Sequence, residues 1–167
     1  MIISLTYLDG NVAINNDQQL LPDDFQQVKA VYELAQISYP HGAPWQENQF
    51  ILDVQSDQSI YFCVYEHNQL IAFLSFRLMF DQIEIDHVVV HPNWQNKHIA
   101  QQLCQRLFEY ATKHEVVEIF LEVRQSNYKA YQLYQKVGFE QIAIRKAYYH
   151  APIEDALIMR KTIGKVD

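Results

Sequence analysis

Val88-Val89-Val90-His91-Pro92-Asn93-Trp94-Gln95-Asn96-Lys97-His98-Ile99-Ala100 is a β-branched run that breaks at a proline and enters a helical pattern within a few residues. Ile99, Ala100, Leu103, Cys104, Leu107, Phe108 and Ala111 recur at helical spacing, a stripe that predicts a helix to about residue 113. Val116–Val123 then reads as a further strand. A strand, a helix and a strand in that order predict a crossover unit of an α/β sheet. The start of such a helix leaves several backbone N–H groups without intrahelical partners, and the helix dipole favours negative charge there. By spacing alone the segment is either an ordinary strand-to-helix connection or a seat for an anion.

Upstream, Ile2–Leu8 and Val12–Ile14 flank Asp9-Gly10, a hairpin signal. Pro22-Asp23-Asp24 opens a helical pattern through Phe25, Val28, Val31, Tyr32 and Ala35. The proline- and glycine-bearing stretch Tyr39–Pro44 is a loop by composition, and a short helix is expected from Trp45 to about Val54, burying Phe50 and Ile51 or Val54. Ile60–Tyr65 and Leu70–Phe80 predict strands joined at His67-Asn68, and Ile83–His91 another after a turn at Asp81-Gln82. Downstream, Asn127–Val137 predicts a helix stopped by Gly138. Two last strands, Phe139–Ala147 and Ala156–Lys161, are expected to enclose a loop, Tyr148–Asp155.

Composition narrows the function classes. The chain has 167 residues, 49% hydrophobic and 20% charged, which excludes a disordered polymer and suits one domain over residues 1–167. No apolar run reaches the roughly 20 residues of a membrane span, and Met1 opens no signal peptide, so a cytoplasmic protein without membrane contact is expected. Cys63 and Cys104 sit in apolar patterns without metal-ligand spacing; reduced thiols and no metal are the expectation. The net charge of −7 disfavours direct nucleic-acid binding. Residues 1–86 carry twelve acids against Lys29 and Arg77 alone, a balance of −10, while residues 87–167 balance at +3. That asymmetry is either two solvated surfaces or a cationic partner drawn to the first half and an anionic one to the second. Neither the Walker phosphate loop nor the glycine-rich dinucleotide element occurs.

The opening segment resembles motif A of the GNAT acyltransferases, in which a strand leads to Arg/Gln-x-x-Gly-x-Gly/Ala and loop amides hold the pyrophosphate of acetyl-coenzyme A. Gln95 and Ala100 match the ends of that pattern, and His98 stands where the first glycine is usual. A histidine of ordinary φ would keep the amides, and with Lys97 it would add donors. The resemblance continues in Leu121-Glu122-Val123-Arg124, Asn127, Leu133-Tyr134, Gly138-Phe139, Arg145, Tyr148-Tyr149 and Glu154–Met159, with Pro44-Trp45 and Phe50 upstream. In order and spacing the chain is similar to the ribosomal-protein-alanine N-acetyltransferase branch, over roughly residues 23–161.

That resemblance implies an α/β (α+β) fold: a mixed, mostly antiparallel twisted sheet with helices on both faces. It implies acetyl transfer from acetyl-coenzyme A, without metal, to a protein or peptide N-terminus, that of a ribosomal protein among them. By resemblance Glu122 is the base and Tyr134 the proton donor to the departing thiolate. Read by themselves, Glu122 is a strand-end carboxylate paired with Arg124 or another neighbour, and Tyr134 a buried member of an apolar stripe. The backbones of Val88, Val89 and Val90 are implied for the pantetheine arm, the amides of Gln95, Asn96, Lys97, His98, Ile99 and Ala100 for the pyrophosphate. Asn127 is either a coenzyme contact, a helix N-cap or both. Tyr148 and Tyr149 match the loop lining the peptide entrance. Glu84, Asp86 and His87 are reserve bases. No cysteine falls at a matched nucleophile position, so direct attack is expected; a small-amine acceptor, a lysine acceptor and a coenzyme binder without turnover stay open.

Overall fold

Residues 1–8, 11–14 and 25–164 are described by the structure, a computed structural model. Ile2–Leu8 forms β1 and Asn11–Ile14 forms β2, paired antiparallel from Leu5↔Ile14 to Leu8↔Asn11. The Asp9-Gly10 turn and the Pro22-Asp23-Asp24 helix start lie outside the described residues. Phe25–Ser38 is α1 and Glu47–Val54 is α2. Val28, Val31, Leu34 and Ala35 of α1 are buried at three- and four-residue spacing, and α2 buries Phe50 and Val54. Each such valine, leucine or phenylalanine side chain contributes about 1.5–3 kcal/mol on burial.

Ser59–Glu66 (β3) and Gln69–Met79 (β4) pair antiparallel across His67-Asn68. His67 at φ 47° and Asn68 at φ 63° both take the left-handed conformation that a tight two-residue hairpin turn demands. β1 lies parallel to β3, from Ile2↔Tyr61 to Thr6↔Tyr65. The next turn falls on Phe80-Asp81, one residue earlier than expected, with Phe80 at φ 56°. Gln82–Val90 is β5. A short 3-10 turn at Pro92–Trp94 leads to α3, Ile99–Lys113, and then to β6, Glu118–Arg124. β5 and β6 are parallel from Gln82↔Glu118 to Ile85↔Leu121, the arrangement a helical crossover permits. Tyr128–Lys136 is α4, Glu140–His150 is β7 and Ile153–Thr162 is β8. Gly138 closes α4 at φ 96°, where a Cβ would stand 2.6 Å from Lys161 Nζ.

The chain divides into two compact units. Met1–Arg77 with His87–Leu103 holds the strands in order β2-β1-β3-β4 and the C-terminal half of β5. Its core gathers Val28, Val31, Leu34, Phe50, Tyr61, Phe73 and Val89. The second unit, Leu78–Asp86 with Cys104–Asp167, runs from the N-terminal half of β5 through β6 and β8 to β7. Within it β6 alternates: Ile119, Leu121 and Val123 are buried, while Glu118, Phe120, Glu122 and Arg124 are half-buried. The mixed α/β sheet with both parallel and antiparallel pairs is the expected fold class. One expectation fails. Tyr148–Asp155 is not a loop, because β7 runs on through His150 and β8 begins at Ile153, which places Tyr148 and Tyr149 on a strand.

Candidate active site

His91 succeeds the last residue of β5 and organises the turn into α3. Its Nδ1 accepts from the Asn93 N–H at 3.1 Å, its carbonyl accepts from the Trp94 N–H at 2.8 Å, and the Gln95 side chain donates back to the Val90 carbonyl at 3.1 Å. Lys97 Nζ sits 4.3 Å from the centre of the Trp94 ring, so its charge rests on that ring's face. The first helical bond of α3 runs from the Gln102 N–H to the His98 carbonyl at 3.0 Å. The N–H groups of His98, Ile99, Ala100 and Gln101 therefore have no intrahelical acceptor. Asn96 and His98 both adopt φ 62°. His98 thus does not take an ordinary φ; it holds the left-handed conformation normally left to glycine, so the loop keeps its glycine shape without glycine.

In the second unit, side chains from neighbouring strands converge. Arg145 Nη1 on β7 donates to Glu122 Oε1 on β6 at 2.5 Å. Hydrogen-bonding influence of the same carboxylate raises the Tyr148 hydroxyl pKa above its ordinary value, burial adding to the effect, so Tyr148 stays protonated at neutral pH. The Arg145 guanidinium lies 4.9 Å from the Tyr148 ring centre, and Tyr148 meets Tyr149 edge-on at 5.1 Å. Arg124 stacks 4.0 Å from the Tyr149 ring and donates to Glu154 Oε2 at 3.2 Å. Burial and the Glu122 charge push the Tyr149 hydroxyl up to about 12. Glu154 also accepts from the Ser126 N–H. Beside this cluster opens a cleft of about 250 Å³, with an apolar lining of Met79, Ile83, Phe120 and Ile158 and polar edges at Glu84, Glu122 and Arg145. Ligand pockets for whole small molecules span roughly 300–1,000 Å³, so this cleft suits the end of a chain.

The remaining candidates fall elsewhere. Tyr134 is buried in α4 with its ring against Phe139 at 5.8 Å. Asn127 caps α4, its side-chain oxygen accepting from the Ala130 N–H at 3.2 Å. Val88, Val89 and Val90 lie on β5 beyond its last pair with β6. Asp86 is half-buried on β5, and Glu84 reaches the cleft that Glu122 borders. His87 is not a usable base. It is 2% exposed among Tyr39, Trp45, Phe50 and Phe73, shares a 3.1 Å hydrogen bond with the Tyr39 hydroxyl, and burial lowers its pKa to about 3. Both thiols are free and buried, and burial pushes each up to about 12, so neither is a ready nucleophile. Among the described residues no cluster could hold a metal ion, and no helix is long and apolar enough to cross a membrane. Sequence reasoning offers Arg124 as a partner for Glu122 and assigns no role of their own to Arg145 or Asp155; the structure pairs Arg124 with Glu154 and Glu122 with Arg145, because the strand register brings residues remote in the chain together.

The chain is similar to known proteins in sequence and in fold. Residues 28–139 match the acetyltransferase (GNAT) family. The ribosomal protein bS18-alanine N-acetyltransferase of Escherichia coli strain K12 is 30% identical over 137 residues, covering 81% of this chain and 90% of that protein. The corresponding protein of Haemophilus ducreyi is 32% identical over 137 residues, covering 80% and 92%. The crystal structure of the ribosomal-protein-S18-alanine N-acetyltransferase from Escherichia coli superposes with a TM-score of 0.77 at 27% identity, over 86% of this chain and 92% of that one. An aminoglycoside 6'-N-acetyltransferase complexed with coenzyme A shares the fold, with a TM-score of 0.72 at 12% identity over 90% and 98%. With the family match spanning both units and the strand-loop-helix element in place, the chain is an acetyltransferase and belongs to the GNAT family.

Proposed function

We propose that this enzyme moves acetyl from acetyl-coenzyme A to the α-amine of a protein N-terminus, an N-terminal alanine of a ribosomal protein before others, by direct attack. Residues 1–167 act in this reading as one GNAT domain. The observation that carries it is the half-buried Glu122 carboxylate at the edge of a small, partly apolar cleft, held by Arg145 and Tyr148. The names of the relatives at 30% and 32% identity support the same acceptor.

The residues present fit the coenzyme. Four N–H groups without intrahelical acceptors at the start of α3, beside two left-handed residues, are donors for a pyrophosphate that do not depend on side chains. Gln95, Asn96, Lys97, His98, Ile99 and Ala100 would hold that end, the backbones of Val88, Val89 and Val90 the pantetheine arm, and the Asn127 side-chain amide a further contact. Acetyl-coenzyme A, when bound, supplies the acetyl group as an activated thioester. Glu122 takes a proton from the acceptor amine at a carboxylate oxygen, through one water. An unperturbed α-amine titrates at about 8 and a lysine at about 10.4, so a modest base suffices for an N-terminus. Tyr134 holds a proton at its hydroxyl for the departing sulfur. Tyr148 and Tyr149 border the acceptor. The buried thiols, pushed up to about 12, support attack without an acyl-enzyme. The −10 balance of residues 1–86 speeds encounter with a basic partner and is screened by salt.

The test compares an alanine-starting ribosomal peptide with the same peptide carrying a blocked α-amine and a free lysine. Acetylation of the open peptide alone is expected. Equal acetylation of the blocked peptide overturns the N-terminal reading in favour of a general amine acceptor.

A further inference from the structure

β7 and β8 pair with one register shift between Gln141 and Ala143, then run in step from Ala143↔Ile158 to Arg145↔Ala156 and resume at Tyr149↔Glu154. Between these points Lys146, Ala147 and Tyr148 stand against Asp155 alone, so β7 carries a bulge there. Ala147 sits at φ 48°, a left-handed conformation in a residue other than glycine. In an unbroken strand, side chains an odd number of steps apart point to opposite faces. Arg145 and Tyr148 would then be separated by the sheet. The bulge takes Tyr148 out of that alternation: Arg145 donates to Glu122, and its guanidinium lies 4.9 Å from the centre of the Tyr148 ring, so the two side chains stand together beside that carboxylate.

Asp155 holds that bulge. Its Oδ1 accepts from the Ala147 N–H at 2.9 Å and its Oδ2 from Lys146 Nζ at 2.8 Å. Its carbonyl accepts from the Gln125 N–H at 3.1 Å, just past the end of the strand that carries Glu122. One residue therefore ties the bulge to the β6 end. Its neighbour Glu154 does the same from the other side, through Arg124 and the Ser126 N–H. Bulges beside active sites commonly re-aim a side chain in this way.

We propose that Asp155 is a positioning residue for acceptor capture: by holding the β7 bulge it brings Arg145 and Tyr148 together onto Glu122 and fixes that carboxylate at the cleft. The proposal rests on the reading of Glu122 as the group that meets the acceptor amine. The side-chain charge of Asp155 matters less than its Oδ1, which an asparagine retains.

The experiment measures steady-state kinetics with an alanine-starting peptide, and acetyl-coenzyme A affinity by titration calorimetry, for the wild type, Asp155→Asn, Asp155→Ala and Asp155→Ala with Ala147→Gly. Loosening a catalytic constellation by an ångström costs up to about a hundredfold, so Asp155→Ala is expected to lower kcat/KM for the peptide at least about tenfold. Its acetyl-coenzyme A affinity should stay within about twofold of wild type, in keeping with a local role. Asp155→Asn should resemble wild type, and Ala147→Gly should recover part of the loss, because glycine adopts the bulge conformation unaided. If Asp155→Ala does not fold, Ala147→Val disturbs the same bulge from within, and the same selective loss is expected. Unchanged peptide kinetics in Asp155→Ala overturn the proposal. So does a matching loss in Asp155→Asn, or a parallel fall in coenzyme affinity. A wild type silent on every N-terminal peptide overturns the acceptor reading first, and this proposal with it.

Discussion

Replacing His98 with glycine removes a side chain from a residue held at φ 62°. The left-handed conformation costs an L-residue roughly 1–2 kcal/mol, with histidine toward the lower end because it visits the region more readily than most. Glycine adopts it freely but loses about 0.5–1 kcal/mol more conformational entropy on folding. The difference favours His98→Gly by about 0.5 kcal/mol, a rise in Tm of roughly 1–2 °C for a chain of this size. His98→Val is the informative contrast. A β-branched residue at positive φ is a true outlier, so its cost should approach about 2 kcal/mol, about 1 kcal/mol more than histidine pays, a fall of roughly 2–4 °C from wild type. Thermal and urea unfolding of the two variants beside wild type measure both signs. Equal stability of His98→Val and His98→Gly would show that the loop does not need this conformation, and the strain argument fails. The same variants address the coenzyme. If backbone N–H groups carry the pyrophosphate, His98→Gly leaves acetyl-coenzyme A affinity unchanged near neutral pH, whereas a large gain would show the imidazole obstructing the loop.

Glu122→Gln should reduce kcat/KM about 100- to 10,000-fold, most severely at low pH where free amine is scarce, with partial recovery as pH rises; a flat pH-independent deficit would point to Glu84 or Asp86 as the base. Tyr134→Phe should lower turnover under chemistry-limited conditions while leaving coenzyme affinity intact, and retention of full turnover removes the assigned proton donor. His87, neutral and buried with a folded pKa near 3 against 6.5 when free, makes the unfolded chain bind the extra proton between those values. Its contribution is therefore present above about pH 6.5 and lost as pH falls toward 3, at up to about 1.4 kcal/mol per pH unit. His87→Phe should flatten urea-measured stability between pH 6.5 and 5 by about 2 kcal/mol, and an unaltered slope would mean that another group dominates that window.

The crossover was legible because its signals are local: a β-branched run, a proline, then a stripe at helical spacing from Ile99 to Ala111. The β3–β4 turn was equally plain, since His67 and Asn68 tolerate the left-handed region. The end of β7 was not. Its residues are largely exposed, it stands at the sheet edge, and Lys146-Ala147 interrupts the alternation that would mark a strand. No glycine flags the bulge, because the conformation is held by Asp155 from another strand. His87 could have been placed from the sequence alone. It shares the parity of Ile83, Ile85 and Val89, all buried, and strand alternation therefore points it inward.

The two ends of the proposed reaction differ in how their chemistry is encoded. The coenzyme end is built from consecutive backbone groups, so one stretch of sequence discloses it and a changed side chain such as His98 need not abolish it. The acceptor end is built from side chains on β6, β7 and β8 whose meeting depends on register. A one-residue slip in β7 would carry Arg145 away from Glu122, and loss of the bulge would turn Tyr148 to the other face. Family membership is accordingly readable from short local elements. In the proposed reading acceptor preference depends on Arg145, Tyr148 and Asp155; the resemblance flags Tyr148, while the partners of Arg145 and Asp155 appear only once the strands are paired. Substitutions in the β7–β8 hairpin should therefore change which amine is used before they change whether acetyl-coenzyme A is bound, because the hairpin holds the side chains proposed to surround the amine and not the N–H groups proposed for the pyrophosphate.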